Sequence, residues 1–125
     1  MQQELIAIPN AEIIKPKRLL YYLAHPYTHK GHATITNNVI ASVHYTNELL
    51  DRGYFVFNPL THSHRLDQQK SRPASFWYEF DLKILERCDG IIMSGNWRES
   101  KGCMLEYDLA KSLGLVVKEY AEVVR

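Results

Sequence analysis

Glu106 stands where a helical pattern calls for an apolar residue. The stretch SKGCMLEYDLAKSLG opens on a favoured N-cap, Ser100, and closes on Gly114, a favoured residue just past a last helical turn. At about 100° per residue, Gly102, Leu109, Ala110 and Leu113 fall within roughly 60° of Glu106. Lys101, Asp108, Lys111 and Ser112 fall on the opposite side. The stretch FWYEFDLKILERC repeats the pattern. Trp77, Ile84, Leu85 and Cys88 share a face with Asp81, while Glu79, Lys83, Glu86 and Arg87 lie across from it. A buried carboxylate without a partner is costly, and the usual outcome is a raised pKa or a dedicated neighbour. One such residue is commonly structural, as a cap or an arginine partner. Two in one small domain point to a shared catalytic site, where a carboxyl with a raised pKa can act as an acid.

The start of the Ser100 helix adds a second chemistry. Free N–H groups and the helix dipole favour an anion there. Gly102 would let a ligand approach the backbone closely, and Arg98 and Lys101 add positive charge. Taken alone, Ser100 reads more readily as a plain cap and Arg98 as a solvated surface group. In NPLTHSH, His62 and His64 are two apart, so on an extended segment they share a side. A metal would need a third ligand from His25 or His32, and the expectation is a polar substrate-loop role, with simple surface histidines as the alternative and with no metal and no cofactor. His44 reads as structural, and Asp89 as a turn or cap residue. Trp77 and Trp97 could stack on a base or belong to the core.

The elements that must position these residues alternate in type. RLLYYLA, from Arg18 to Ala24, reads as a buried strand running into the turn HPYTHKG. A helix from about His32 to Arg52 follows, stopped by Gly53, then the strand YFVFNP. THSHRLDQQKSRPAS reads as a long polar loop of the kind that is often functional. Ser75 is the expected cap of a helix from Phe76 to about Arg87, DGIIMSG the third strand, and LVVKEY the fourth after the Ser100 helix. Such alternation predicts an α/β fold with a parallel sheet between helical layers. Ligands of these sheets bind beyond the carboxyl ends of the strands, here HPYT, NPLTHSH and SGNWRES.

The 125 residues make one domain of residues 18–125, preceded by an extension, residues 1–17, of short β-prone pieces divided by Pro9 and Asn10 and closed by Pro16. A net charge of +1 and the lack of a basic run interleaved with aromatics give no reason to expect a nucleic acid polymer. Cys88 and Cys103 lack metal-ligand spacing and read as buried thiols of a reducing compartment. No apolar run would span a membrane, and the start lacks a signal-peptide pattern, so a cytoplasmic protein is expected.

Four short motifs in order resemble the nucleoside 2-deoxyribosyltransferase superfamily, which includes 2'-deoxynucleoside 5'-monophosphate N-glycosidases and cytidylate hydrolases. They are YYLAHPYT, the FDL of the central helix, CDG before a strand, and SKGCMLEYDLAKSLG, together covering about residues 19–119. The resemblance implies a flavodoxin-like fold of α/β/α layers with a four- or five-stranded, mostly parallel sheet. It implies that Glu106 attacks the anomeric carbon of the sugar, that Asp81 lies near the base as proton donor or orienter, and that Tyr22 steers Glu106. Cleaving an N-glycosidic bond passes through an oxocarbenium-like state that a carboxylate can stabilise or capture. Ser100 stands six positions before Glu106, where the transferases carry an acidic residue for the 5'-hydroxyl and the nucleotide hydrolases carry Ser against the 5'-phosphate. In the turn after the first strand, His25, His29 and Lys30 replace the Gly and Arg of many relatives. An Asn that transferases donate between subunits has no match that can be placed.

The expected function is therefore cleavage of the N-glycosidic bond of a nucleoside 5'-monophosphate. Glu106, Asp81 and Tyr22 would be catalytic, and Ser100, Gly102, Arg98, His25, His62 and His64 would bind substrate. The alternatives are a nucleoside 2-deoxyribosyltransferase, a non-catalytic nucleotide sensor on the same fold, or a structural oligomer-forming protein. By the resemblance, a homodimer or higher homo-oligomer is expected.

Overall fold

The computed structural model describes residues 18–27 and 32–125. The proposed extension, His29 and Lys30 lie outside the described residues. Four parallel strands form one sheet in the order β2-β1-β3-β4: β1 is Leu20–Ala24, β2 Phe55–Phe57, β3 Gly90–Met93 and β4 Val116–Glu119. The helices between them are α1, His32–Asp51, α2, Pro59–Gln69, α3, Ala74–Glu86, and α4, Lys101–Ser112, with a 3-10 turn at Trp97–Glu99 and a last short helix, α5, Tyr120–Val123. This is the flavodoxin-like α/β/α arrangement.

Strand parity decides what each helix layer meets, because successive side chains point to opposite faces. Tyr22 and Ala24 of β1 and Ile91 and Met93 of β3 pack with Leu85, Cys103 and Ala110 of α3 and α4. Tyr21, Leu23 and Ile92 pack on the other face with Leu49 of α1. Tyr22 therefore points into the same layer that carries Asp81 and Glu106. Asp89 ties the sheet's start together, its Oδ2 accepting from Leu20 N at 2.8 Å.

The segment expected as a long polar loop is largely helical. Asn58 explains it: its Oδ1 accepts from Leu60 N at 2.9 Å and from Thr61 N at 3.3 Å, with Pro59 in the first helical position. The start of α3 also differs from expectation. It begins at Ala74 with Pro73 as N-cap and no side-chain cap, so Ser75 lies inside the first turn.

Asn58 is buried, and its Nδ2 donates to Ser42 Oγ at 3.1 Å and to Thr46 Oγ1 at 3.0 Å. One side chain thus caps α2 and ties it to α1. Asn58→Ala should cost about 2–3 kcal/mol, since it removes a cap and two further hydrogen bonds in a buried position. Urea denaturation checks this, and a change below about 0.5 kcal/mol would contradict the bridging role.

Candidate active site

Tyr22, fully buried on the central strand, donates its hydroxyl hydrogen bond to Glu106 Oε2 on α4. Asp81 reaches the same cavity from α3, and its Oδ1 is buried with no hydrogen-bond partner. The cavity measures about 400 Å³, within the range of small-molecule sites. It lies beyond the carboxyl ends of the strands, between α2, α3 and the first turn of α4. The sequence-predicted residues Glu106, Asp81, Ser100, Gly102 and His25 line it.

Burial dominates the electrostatics. Glu106 is pushed up to about 8, chiefly by burial; the Tyr22 hydrogen bond pulls it down and the charge of Asp81 pushes it further up. Asp81 is raised to about 7 by burial. With values so close, the two carboxyls behave as one titrating pair that holds a single proton between about 7 and about 8. Tyr22 donates to Glu106 alone, whereas Asp81 Oδ1 has no donor to stabilise a charge. That asymmetry favours the arrangement with Glu106 ionised and Asp81 protonated. Tyr22 itself is held well above its ordinary value by burial and the carboxylates, so it stays a donor.

At the other end of the cavity, Ser100 caps α4 by accepting from Cys103 N at 3.2 Å. Accepting uses an oxygen lone pair and leaves the hydroxyl proton free to donate. Lys101 brings charge to the same wall. Gly102 has a different neighbour from the one expected: an added Cβ would fall 3.2 Å from Tyr78 Cε1, so the missing side chain makes room for an aromatic ring of α3.

His25 is buried, with Nδ1 2.9 Å from Ser94 Oγ. Ser94 spends its proton on Ala24 O at 3.0 Å, so Nδ1 must be the donor and Nε2 is left as an acceptor. Burial lowers His25 to about 4, which keeps the ring neutral. Gly95, at φ +64°, holds a conformation suited to glycine, and a Cβ there would meet His25 Cε1 at 2.7 Å.

Three expected binding residues lie elsewhere. Arg98 is turned to Glu119, with Nη2 to Oε2 at 3.0 Å, and covers the Trp97 ring at 4.3 Å. His62 and His64 sit on a helix, where a spacing of two puts them about 200° apart and not on one side. His62 packs between Phe57 and Phe80, with ring centroids 5.8 and 5.0 Å away. His64 Nδ1 lies 2.9 Å from Tyr27 Oη. None of the three lines the cavity. Among the described residues no three His, Cys, Asp or Glu side chains come together as metal ligands.

Asp67, Arg72 and Trp77 line the cavity at the α2–α3 corner, and sequence reasoning left the first two out. Asp67 Oδ1 accepts from Trp77 Nε1 at 2.7 Å and from Arg72 N at 2.9 Å, and these bonds hold its carboxyl below the usual range. Only the place of Arg72 beside Pro73 hinted at a fixed corner. Trp97, in contrast, is buried against Tyr107 at 4.9 Å.

Residues 22–119 match the model of DUF4406, a domain of unknown function. The chain belongs to the DUF4406 family. A search of curated proteins found no match. The family match runs from within β1 to the end of β4 and includes every residue that lines the cavity. The α/β fold is compatible with a nucleotide-handling enzyme, and no described helix is long and apolar enough to cross a membrane.

Proposed function

We propose that this DUF4406 protein cleaves the N-glycosidic bond of a nucleoside 5'-monophosphate, as a member of the nucleoside 2-deoxyribosyltransferase superfamily. The observation that carries the reading is the meeting of Glu106 and Asp81 in one cavity, with Tyr22 donating to Glu106 from the core behind it and Asp81 Oδ1 left unpartnered. Glu106 attacks C1' as the C1'–N bond breaks. The electron pair of that bond goes to the base nitrogen, and Asp81 gives the base its proton. The sugar is then an ester of Glu106. Water attacks C1', Asp81 takes a proton from it, and Glu106 leaves as carboxylate. The net reaction consumes water and yields free base and sugar phosphate. Tyr22 aims Glu106 and holds charge on it until attack.

The sugar's 5'-phosphate is assigned to the first turn of α4, with Ser100 donating and Lys101 countering the charge. A helix N-terminus favours this anion, and a charge-assisted hydrogen bond contributes about 1.5–3 kcal/mol. Arg98 has no part in it. A homodimer or higher assembly belongs to the same proposal; the exposed Phe76, Phe80 and Leu105 supply apolar surface that such a contact would cover.

The test is kcat/KM for a matched nucleoside and its 5'-monophosphate. The monophosphate should be better by at least about tenfold. Ser100→Asp should hurt the monophosphate reaction more than the nucleoside reaction, because it removes a donor and sets like charges together. Equal values in the native protein would refute the phosphate assignment and move the reading toward a nucleoside transferase. Nucleotide binding with no base release would instead support a sensor.

A further inference from the structure

A second cavity of about 370 Å³ adjoins the first and shares His25, Glu99 and Ser100 with it. It opens between the carboxyl ends of β1 and β3 and one side of α1, with Thr34, Asn38, Ala41 and Tyr45 on the α1 side. Ser100, to which the 5'-phosphate is assigned, stands in the walls of both. A group leaving that phosphate on the side away from the sugar would enter the second cavity. The space is nearly as large as the one assigned to base and sugar, and far larger than a phosphate group.

Its chemistry is that of a hydroxylated, uncharged group. Asn38, Asn96 and Tyr45 can donate and accept, and His25 Nε2 is an acceptor because Nδ1 is committed to Ser94. Tyr45, whose ring packs on Tyr120 at 4.4 Å, also brings aromatic surface to the lining. Among the described residues, the one formally charged side chain in the lining is Glu99. A terminal β-phosphate would bring extra negative charge to a wall that, among the described residues, has no cation to meet it and a carboxylate to repel it. A diphosphate esterified at both ends carries about two negative charges, close to the value for a monophosphate at neutral pH.

We infer that the second cavity takes a distal sugar joined through a diphosphate, so that the preferred substrates are nucleoside diphosphate esters, meaning nucleotide sugars or dinucleotides. The inference rests on the proposed glycosidase reading and extends it. The bond cleaved and the roles of Glu106 and Asp81 are unchanged; the added group supplies binding energy remote from the reacting carbon.

The experiment measures base release from four substrates sharing one base: the 5'-monophosphate, the 5'-diphosphate, the nucleoside diphosphate hexose and the dinucleoside diphosphate. At least one esterified diphosphate should exceed the monophosphate by at least about tenfold in kcat/KM, and the free diphosphate should not. The hexose and dinucleotide arms tell which distal sugar fits. Ala41→Phe, which narrows the second cavity from α1, should erase the advantage while leaving monophosphate turnover in place. Thr34→Leu serves the same purpose should Ala41→Phe fold poorly, with monophosphate turnover as the internal control for folding. An esterified diphosphate no better than the monophosphate overturns the inference and leaves the glycosidase reading intact. So does an advantage that survives both variants. Release of base from none of the four overturns both.

Discussion

Glu106→Gln is expected to lower base release by at least about 1,000-fold and at the same time to stabilise the fold. The two effects have one cause. Glu106 is a carboxyl whose native value, about 8, lies far above its ordinary 4.5 because it is buried. Between those values the Glu106–Asp81 pair of the native state holds a proton that the unfolded chain has released. Stability therefore falls as pH rises through that window and is flat above it. Glutamine has no such penalty and still accepts from Tyr22. The gain in Tm should be small at pH 4 and about 5 °C or more at pH 9. Activity and thermal melts on the same preparation check both halves. Loss of activity with loss of stability would mean that the carboxylate is structural.

Asp81→Asn is expected to cost about 100- to 10,000-fold, the usual contribution of a general acid. Its pH profile separates this role from a structural one. The native enzyme needs one proton on the pair, so kcat should peak between about 7 and about 8 and fall on both sides. Asp81→Asn removes the alkaline limb, because no acid remains to deprotonate. The acid limb stays near its native place, because Asp81 is protonated there and carries no charge to act on Glu106. A leaving base that needs no proton, such as an N7-methylated purine, should lose far less. An equal loss on both substrates, with the alkaline limb retained, would remove Asp81 from proton transfer.

What was legible in the sequence follows from what is periodic. Asp81 and Glu106 stood out because a helical wheel exposes a charge inside an apolar stripe, and the strands declared themselves as apolar runs between turn residues. Strand parity then places Tyr22 toward both carboxylates. The α2 helix was missed because its polar composition, PLTHSHRLDQQ, resembles a loop. The decisive signal, Asn58 before Pro59, is the cap-and-proline signature of a helix start and was present to be read. That one error displaced His62 and His64, whose shared side depended on an extended backbone. Arg98 was beyond local reading: its partner, Glu119, lies 21 residues away at the end of β4. The corner of Asp67, Arg72 and Trp77 likewise depends on how two helices meet, as does the packing of Tyr78 on Gly102.

The central claim is that Glu106 bonds to the anomeric carbon, and covalent trapping tests it most directly. A 2'-fluoro-arabinonucleoside 5'-monophosphate slows both steps by opposing positive charge at C1', so an ester can accumulate. Intact-mass spectrometry should show base released and one sugar phosphate added to the native chain, with peptide mapping assigning it to Glu106 and no adduct on Glu106→Gln. Base release that proceeds undiminished in Glu106→Gln, or an adduct borne by another residue, would contradict the account.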